Sequence, residues 1–178
     1  MRRSRDEGVR ALDSEPNGRP GAIVALQICP GHRLPMRPVH PAIFVTDRGL
    51  EGDRHARSKS RRQVLLIEAE TLDALELDAG VVKENVTTWG IDLAALPRGS
   101  RIGLGEEVIL WLTGPCGPCG RMEEIREGLK EEIRGRRGTL AWVERGGPVR
   151  VGEPVRVLSR GEPAGNISRP NAVIEEDG

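Results

Sequence analysis

Apolar and polar positions alternate along this chain in short blocks. The run A-I-V-A-L-Q-I-C over 22–29 is apolar and branched and is closed by Pro30 and Gly31, which predicts a strand with Cys29 at its end. Residues 32–41 hold Pro35, Pro38 and Pro41 and predict a loop, and 42–45 (A-I-F-V) predict a second short strand. A third strand is expected over 63–67. Ala69, Leu72, Leu75 and Leu77 then follow at close to helical spacing, so 68–77 predict a short amphipathic helix. Residues 83–86 read as a strand containing Asn85, a residue depleted in strands, which calls for a turn or a ligand contact to explain it. The stretch 90–105 is rich in turn residues, with little helix beyond 93–96, and 108–113 read as a buried strand. Met122, Ile125, Leu129 and Ile133 fall on one helix face, with Gly128 weakening that helix by about 1 kcal/mol relative to alanine. The G-R-R-G sequence over 135–138 ends it; a strand over 139–144, a turn at 146–148, and a last strand or pair interrupted at 152–154 complete the pattern. Many short strands, few helices and no βαβ alternation predict a mainly β, α+β fold: a mixed, largely antiparallel, barrel-like domain.

Composition marks the limits of that domain. Residues 1–20 are rich in Arg, Asp, Glu, Gly and Pro without hydrophobic periodicity, and 159–178 repeat that composition, so both predict disordered tails around a domain spanning 21–158. Asp6, Glu7, Asp13 and Glu15 argue against a transit peptide. The length, 178 residues, suits one packed domain. Basic and acidic residues balance at 27 each, so no general attraction to nucleic acid or membrane surfaces is expected. Phe44, Trp89, Trp111 and Trp142 are the only aromatic residues, too few for a platform that stacks nucleic-acid bases, and Trp111 reads as core. No membrane span or signal peptide is visible, and a cytoplasmic location is expected.

Candidate chemistry centres on 111–122 (W-L-T-G-P-C-G-P-C-G-R-M), where a strand pattern stops at Cys116 and Cys119 and a helical pattern begins. With Cys29 these are the three cysteines, too few for a disulfide framework. C-G-P-C between a strand and a helix is the thioredoxin-like dithiol motif, but a long folded stretch precedes it here without the expected βαβ context. Alternatively, Cys29 and His32 form one half-site and Cys116 and Cys119 another, at spacings that structural zinc uses. A third feature is the turn at 46–55: Gly52 permits close backbone approach, while Asp53, Arg54 and His55 supply charge and a titratable donor, or simply make a solvated surface turn.

Taken in order, several motifs resemble one family. They are G-L-E-G-D-R-H over 49–55, R-Q-V over 62–64, E-N at 84–85, G-I-D-L over 90–93, L-P-R-G over 96–99, L-G at 104–105, P-C at 118–119, G-G at 146–147 and G-E at 152–153. The series is similar to a stand-alone MOSC domain, named for the C-terminal domain of molybdenum cofactor sulfurase. The resemblance implies a β-barrel-like fold that binds a pterin-based molybdenum cofactor (molybdopterin), transiently or permanently, or handles sulfur destined for it. The family's key cysteine follows a proline after the long strand and maps onto Cys119. Cys116 is extra to the usual pattern and is expected to modulate it, by resolving a persulfide or by locking Cys119 in a disulfide. The family's closing Gly-Asp is replaced by Gly152 and Glu153.

On this resemblance Gly52, Asp53, Arg54, His55 and Asn85 are expected to hold the pterin or its phosphate, with Arg62 and Arg121 as further phosphate partners. Two activities follow from it. One is a sulfur carrier or sulfurtransferase with a persulfide on Cys119. The other is a molybdenum-dependent reductase of N-hydroxylated compounds, in which Cys119 ligates molybdenum. A non-enzymatic cofactor-binding module is the third reading. The sequence carries no pyridoxal-phosphate, flavin or iron–sulfur motif, so a separate sulfur donor (a cysteine desulfurase) or electron donor, and an acceptor molybdoenzyme, are the expected partners.

Overall fold

Seven strands close into a ring because each apolar face finds its cover on the opposite wall. A computed structural model describes residues 20–161 of the chain. The strands are β1 (Gly21–Ile28), β2 (Arg37–Pro38), β3 (Ala42–Val45), β4 (Gly49–Leu50), β5 (Val64–Glu68), β6 (Val86–Trp89), β7 (Arg101–Leu104), β8 (Val108–Pro115), β9 (Thr139–Arg145), β10 (Gly147–Val149) and β11 (Pro154–Ser159). The helices are α1 (Ala69–Ala74), α2 (Arg121–Ile125) and α3 (Leu129–Glu132). Around the ring the order is β11, β7, β8, β9, β5, β6, β1 and back to β11, which leaves no free sheet edge within it. β2 adds to the end of β1, and β10, β3 and β4 form a separate small sheet. All barrel pairs are antiparallel except β5 and β6.

The expected mixed, largely antiparallel barrel is the observed fold. Its filling is aliphatic: Ile23, Leu66, Val86, Ile102, Leu110 and Val143 are among the side chains packed inside. Trp111 and Trp142 stack edge to face, with ring centroids 6.0 Å apart. A second apolar cluster joins Ile67 with Leu72, Met122, Leu129 and Ile133, and so clamps the helices to the barrel wall. Burying Met122 completely contributes about 1.5–3 kcal/mol and fixes α2 beside the cysteine segment.

Several elements differ from the sequence reading. β5, α1 and β6 form one parallel βαβ crossover, which the short helix disguised. Residues 101–104, read as part of a turn-rich stretch, form β7, whose outward glycine at Gly103 lies over Leu158. The turn expected at 146–148 is largely strand, since Gly147 and Pro148 pair with Phe44 and Ile43. The single helix expected through Met122 and Ile133 is two helices. Gly128 takes a left-handed conformation (φ 80°), and the Glu123 carboxylate accepts from the N–H groups of Gly128 and Lys130, which stabilises the break. Residues 159–161, assigned to the second tail, include the end of β11, and Gly161 N donates to Ser100 Oγ at 3.0 Å. The remainder of both predicted tails lies outside the described residues. Among the described residues no helix is long and apolar enough to cross a membrane.

Candidate functional site

Asn85 is the residue around which one end of the barrel is assembled. It precedes β6 and stands between β1 and β5, where its main chain bonds to both: its N–H donates to Leu65 O (2.8 Å) and its C=O accepts from Gln27 N (2.9 Å). The side-chain amide repeats the pattern, since Oδ1 accepts from Leu65 N (3.1 Å) and Nδ2 donates to Gln27 O (3.2 Å). Only an amide can act as a second peptide group in this way, which accounts for asparagine at the head of a strand. Both Nδ2 hydrogens are committed, because Nδ2 also donates to Asp53 Oδ2 at 2.9 Å. The expected donor to a pterin edge is therefore engaged in holding the fold.

Asp53 is buried and collects further donors. Cys29 N reaches Oδ2 at 2.7 Å, while His55 N and His55 Nδ1 reach Oδ1 at 2.7 and 3.1 Å. Burial disfavours its charge, but the His55 ring and the two backbone N–H groups outweigh that, and its pKa falls below the ordinary carboxylate value. The turn that presents it depends on Gly52, which has φ 79° and would push a Cβ to 3.1 Å from Ile28. The polar turn is thus anchored through Asp53, while Arg54 and His55 remain exposed on its outer side.

The cysteines separate sharply. Cys116 is 3% exposed, whereas Cys119 is on the surface just before α2, where its C=O accepts from Met122 N at 3.0 Å. Cys116 N donates to Gly138 O, which ties the end of β8 to the start of β9. Two guanidinium groups face Cys116 Sγ: Arg62 Nη2 at 3.8 Å and Arg137 Nη1 in direct contact. Arg137 is buried, and also donates to Gly117 O (3.2 Å) and Val82 O (3.3 Å), so it joins the cysteine segment to the turn before Asn85.

That turn carries Lys83 and Glu84. Glu84 is fully buried; its Oε1 accepts from Gly80 N and from Thr87 Oγ1, and its Oε2 has no partner among the described residues. Burial raises its pKa, with Gly80, its own N–H, Thr87 and the Arg137 charge opposing the rise. Lys83 Nζ is bound to the Leu34 carbonyl at 2.7 Å. Burial and the nearby Arg121 charge lower its pKa, against the pull of Cys29 and Glu84. Arg121 opens α2, and its Nε is buried without a partner among the described residues. Lys83 and Arg121 are thus near enough for one charge to bear on the other, Arg121 stands two positions after the exposed Cys119 and has an unmet buried donor, and an anionic group such as a phosphate fits that donor pair.

The sequence-predicted residues therefore fall into three groups. Gly52, Asp53, Arg54, His55 and Asn85 form one unit with Cys29; Arg62 faces Cys116; and the exposed Cys119 is followed two positions on by Arg121, whose charge bears on Lys83. Lys83, Glu84 and Arg137 are not among the sequence candidates, and Cys29 is one only through its zinc half-site with His32. The two arginines of G-R-R-G, between glycines at φ 79° and 95°, were the available signal for Arg137, and Lys83 and Glu84 stood beside Asn85 in sequence. The proposed zinc half-sites do not meet: among the described residues no three His, Cys, Asp or Glu side chains gather closely enough to hold a metal. An open cleft of about 1260 Å³, bordered by Trp89, Arg98, Gly114, Pro115, Arg136 and Gly138, contains none of the candidate residues and adjoins Cys116 through its chain neighbour Pro115 and its hydrogen-bond partner Gly138.

The family model described as the MOSC domain matches residues 52–156. Similar solved structures include the YuaD protein from Bacillus subtilis, with TM-score 0.67 and 23% identity over 77% of this chain and 95% of that one. YiiM from Geobacillus stearothermophilus gives TM-score 0.63 and 19% identity over 78% of this chain and 75% of that one. YiiM from Escherichia coli gives 0.60 and 20% over 80% and 70%. At these identities the likeness is one of fold. No curated protein sequence matches the chain.

Proposed function

The chain belongs to the MOSC domain family, and on that premise we propose that it carries sulfur as a persulfide on Cys119 and transfers it to a pterin-based molybdenum cofactor bound as substrate. The observation that carries this reading is the exposed Cys119 thiol, two residues from Arg121, whose buried Nε lacks a partner among the described residues and whose charge bears on Lys83. Lys83 and Arg121 would take the phosphate of the cofactor, Arg121 through its planar donor fork. Arg54 and His55 are the exposed members of the turn anchored by Asp53, available to the remainder of the ligand. When bound, the cofactor supplies an electrophilic metal centre, to which a soft sulfur donor is suited.

In this reading a cysteine desulfurase loads Cys119, and an acceptor molybdoenzyme receives the product. Cys119 is suited to exchange between proteins because it is exposed, and the glycines beside it leave room: a Cβ added at Gly117 or Gly120 would meet nothing within 4 Å. Metal analysis together with intact-mass spectrometry tests the proposal. A sulfur adduct of about 32 Da on Cys119 in metal-free protein supports the carrier. Molybdenum retained stoichiometrically through purification, with no adduct, overturns it in favour of a reductase in which Cys119 is the metal ligand.

A further inference from the structure

The two cysteines of C-G-P-C are placed for different steps of one sulfur transfer. Cys116 is held: its sulfur is buried, its N–H is bonded to Gly138 O, and it faces Arg62 Nη2 and Arg137 Nη1. Arg137 is itself 7% exposed, with a buried Nε that has no partner among the described residues, so a positive charge is retained inside the protein at this sulfur. Cys119 is exposed on a segment whose glycines have open space around them. A buried sulfur facing guanidinium groups, three residues from an exposed one, is an arrangement for an internal attacking thiolate and an external loading site.

We propose that Cys116 is the resolving thiol of a two-cysteine relay that converts the Cys119 persulfide into released sulfide. This rests on the sulfur-carrier reading above. Cys116 first loses its proton to solvent, and Arg62 and Arg137 face the resulting anion. The Cys116 thiolate then attacks the Sγ of Cys119. A new S–S bond forms between the cysteines, while the bond from Cys119 Sγ to the outer sulfur breaks. The bonding pair leaves with that outer sulfur, which keeps its own proton and departs as HS⁻. The persulfide's outer sulfur is thereby reduced to sulfide and the two cysteines are oxidised to a disulfide. An external dithiol resets the pair, giving up two electrons and two protons and becoming a disulfide itself. The acceptor would thus receive free sulfide, a nucleophile suited to an electrophilic centre, and would not itself meet the persulfide.

The test uses the full reduced chain, inorganic polysulfide as sulfur source, and anaerobic removal of excess before measurement. Intact mass follows the adduct, and a bimane trap follows released sulfide. The wild type is expected to gain about 32 Da on Cys119, then to release one equivalent of sulfide and finish about 2 Da lighter than the reduced chain. Cys116→Ala and the near-isosteric Cys116→Ser are expected to load equally, to retain the adduct, and to release sulfide at least about tenfold more slowly in the absence of added thiol. Release at the wild-type rate from either folded variant overturns the relay and leaves the carrier reading standing. Failure of the wild type and both variants to acquire an adduct on Cys119 overturns the carrier reading, and the relay with it.

Discussion

Asn85 Nδ2 donates to Asp53 Oδ2 at 2.9 Å, which fastens the polar turn after β4 to the head of β6. The same amide bridges β1 and β5 through Gln27 and Leu65, so a single side chain joins three strands and a turn. Replacing it with alanine leaves Leu65 N–H and Gln27 C=O without their side-chain partner and removes one donor from a buried carboxylate. Asn85→Ala is expected to cost about 3 kcal/mol, read as a lower urea midpoint. Asn85→Asp should cost more near neutral pH, because it sets a second negative charge against Asp53. A midpoint unchanged in either variant contradicts the bridging role.

Asp53 makes stability fall in acid. Its folded pKa lies below the ordinary 3.8, so across that interval the unfolded chain binds more protons and stability rises with pH. The contribution is complete above the ordinary value and is lost as pH falls through the folded one. Asp53→Asn should therefore be much less stable than wild type at neutral pH, with the gap narrowing on acidification. Urea titrations at a series of pH values measure it; a gap independent of pH refutes the assignment.

Glu84 acts with the opposite sign. Its folded pKa is raised above the ordinary 4.5, so the folded chain binds the extra proton. The stability contributed by that proton is complete below the unfolded value and is lost as pH rises through the folded one. Glu84→Gln keeps an acceptor for Gly80 and Thr87 without the buried charge. It is expected to match wild type in acid and to exceed it increasingly toward high pH, measured by thermal midpoints across the range.

Gly138 and Gly117 should respond differently to the same change. A Cβ at Gly138 would lie within van der Waals overlap of Leu66 O, at a backbone φ of 95°. Gly138→Ala is expected to cost about 2–4 kcal/mol and to disturb the bond that holds Cys116. Gly117→Ala enters open space and should stay within about 0.5 kcal/mol of wild type. Equal denaturant midpoints for the two variants would contradict this placement.

Arg121→Gln tests the anion site without touching the thiol. Losing one charge-assisted donor should weaken binding of the phosphorylated pterin cofactor by about tenfold or more, with sulfur loading of Cys119 unchanged. Lys83→Gln should weaken it in the same direction. Calorimetric titration of the cofactor gives the affinity, and intact mass gives the loading. Unchanged affinity in both variants removes these residues from the ligand site.

Much of this molecule is written in local pattern. The short branched runs ended by Gly and Pro specify strands, their number and polarity of faces specify a barrel rather than an open α/β sheet, and the aliphatic core follows from the scarcity of aromatics. The same locality explains the misreadings. β7 lies in a stretch whose glycines look like turns, and the break at Gly128 depends on Glu123 reaching across it. The C-G-P-C motif alone looks symmetrical, and it is the family resemblance, with Pro118 before Cys119, that singles out Cys119 in the sequence.

Burial and long-range partners decided what the sequence left open. Asp53, read as a surface charge able to touch a ligand, is instead a buried anchor, because residues 24 and 32 positions away in the chain supply its hydrogen bonds. Arg137, read as part of a helix stop, meets Cys116 across 21 positions and separates a buried sulfur from the exposed one. The sequence by itself determined which residue types and which local elements were available. Tertiary structure decided which charges were removed from water and what they met there, since desolvation and pairing depend on chain closure in three dimensions and not on neighbours in sequence.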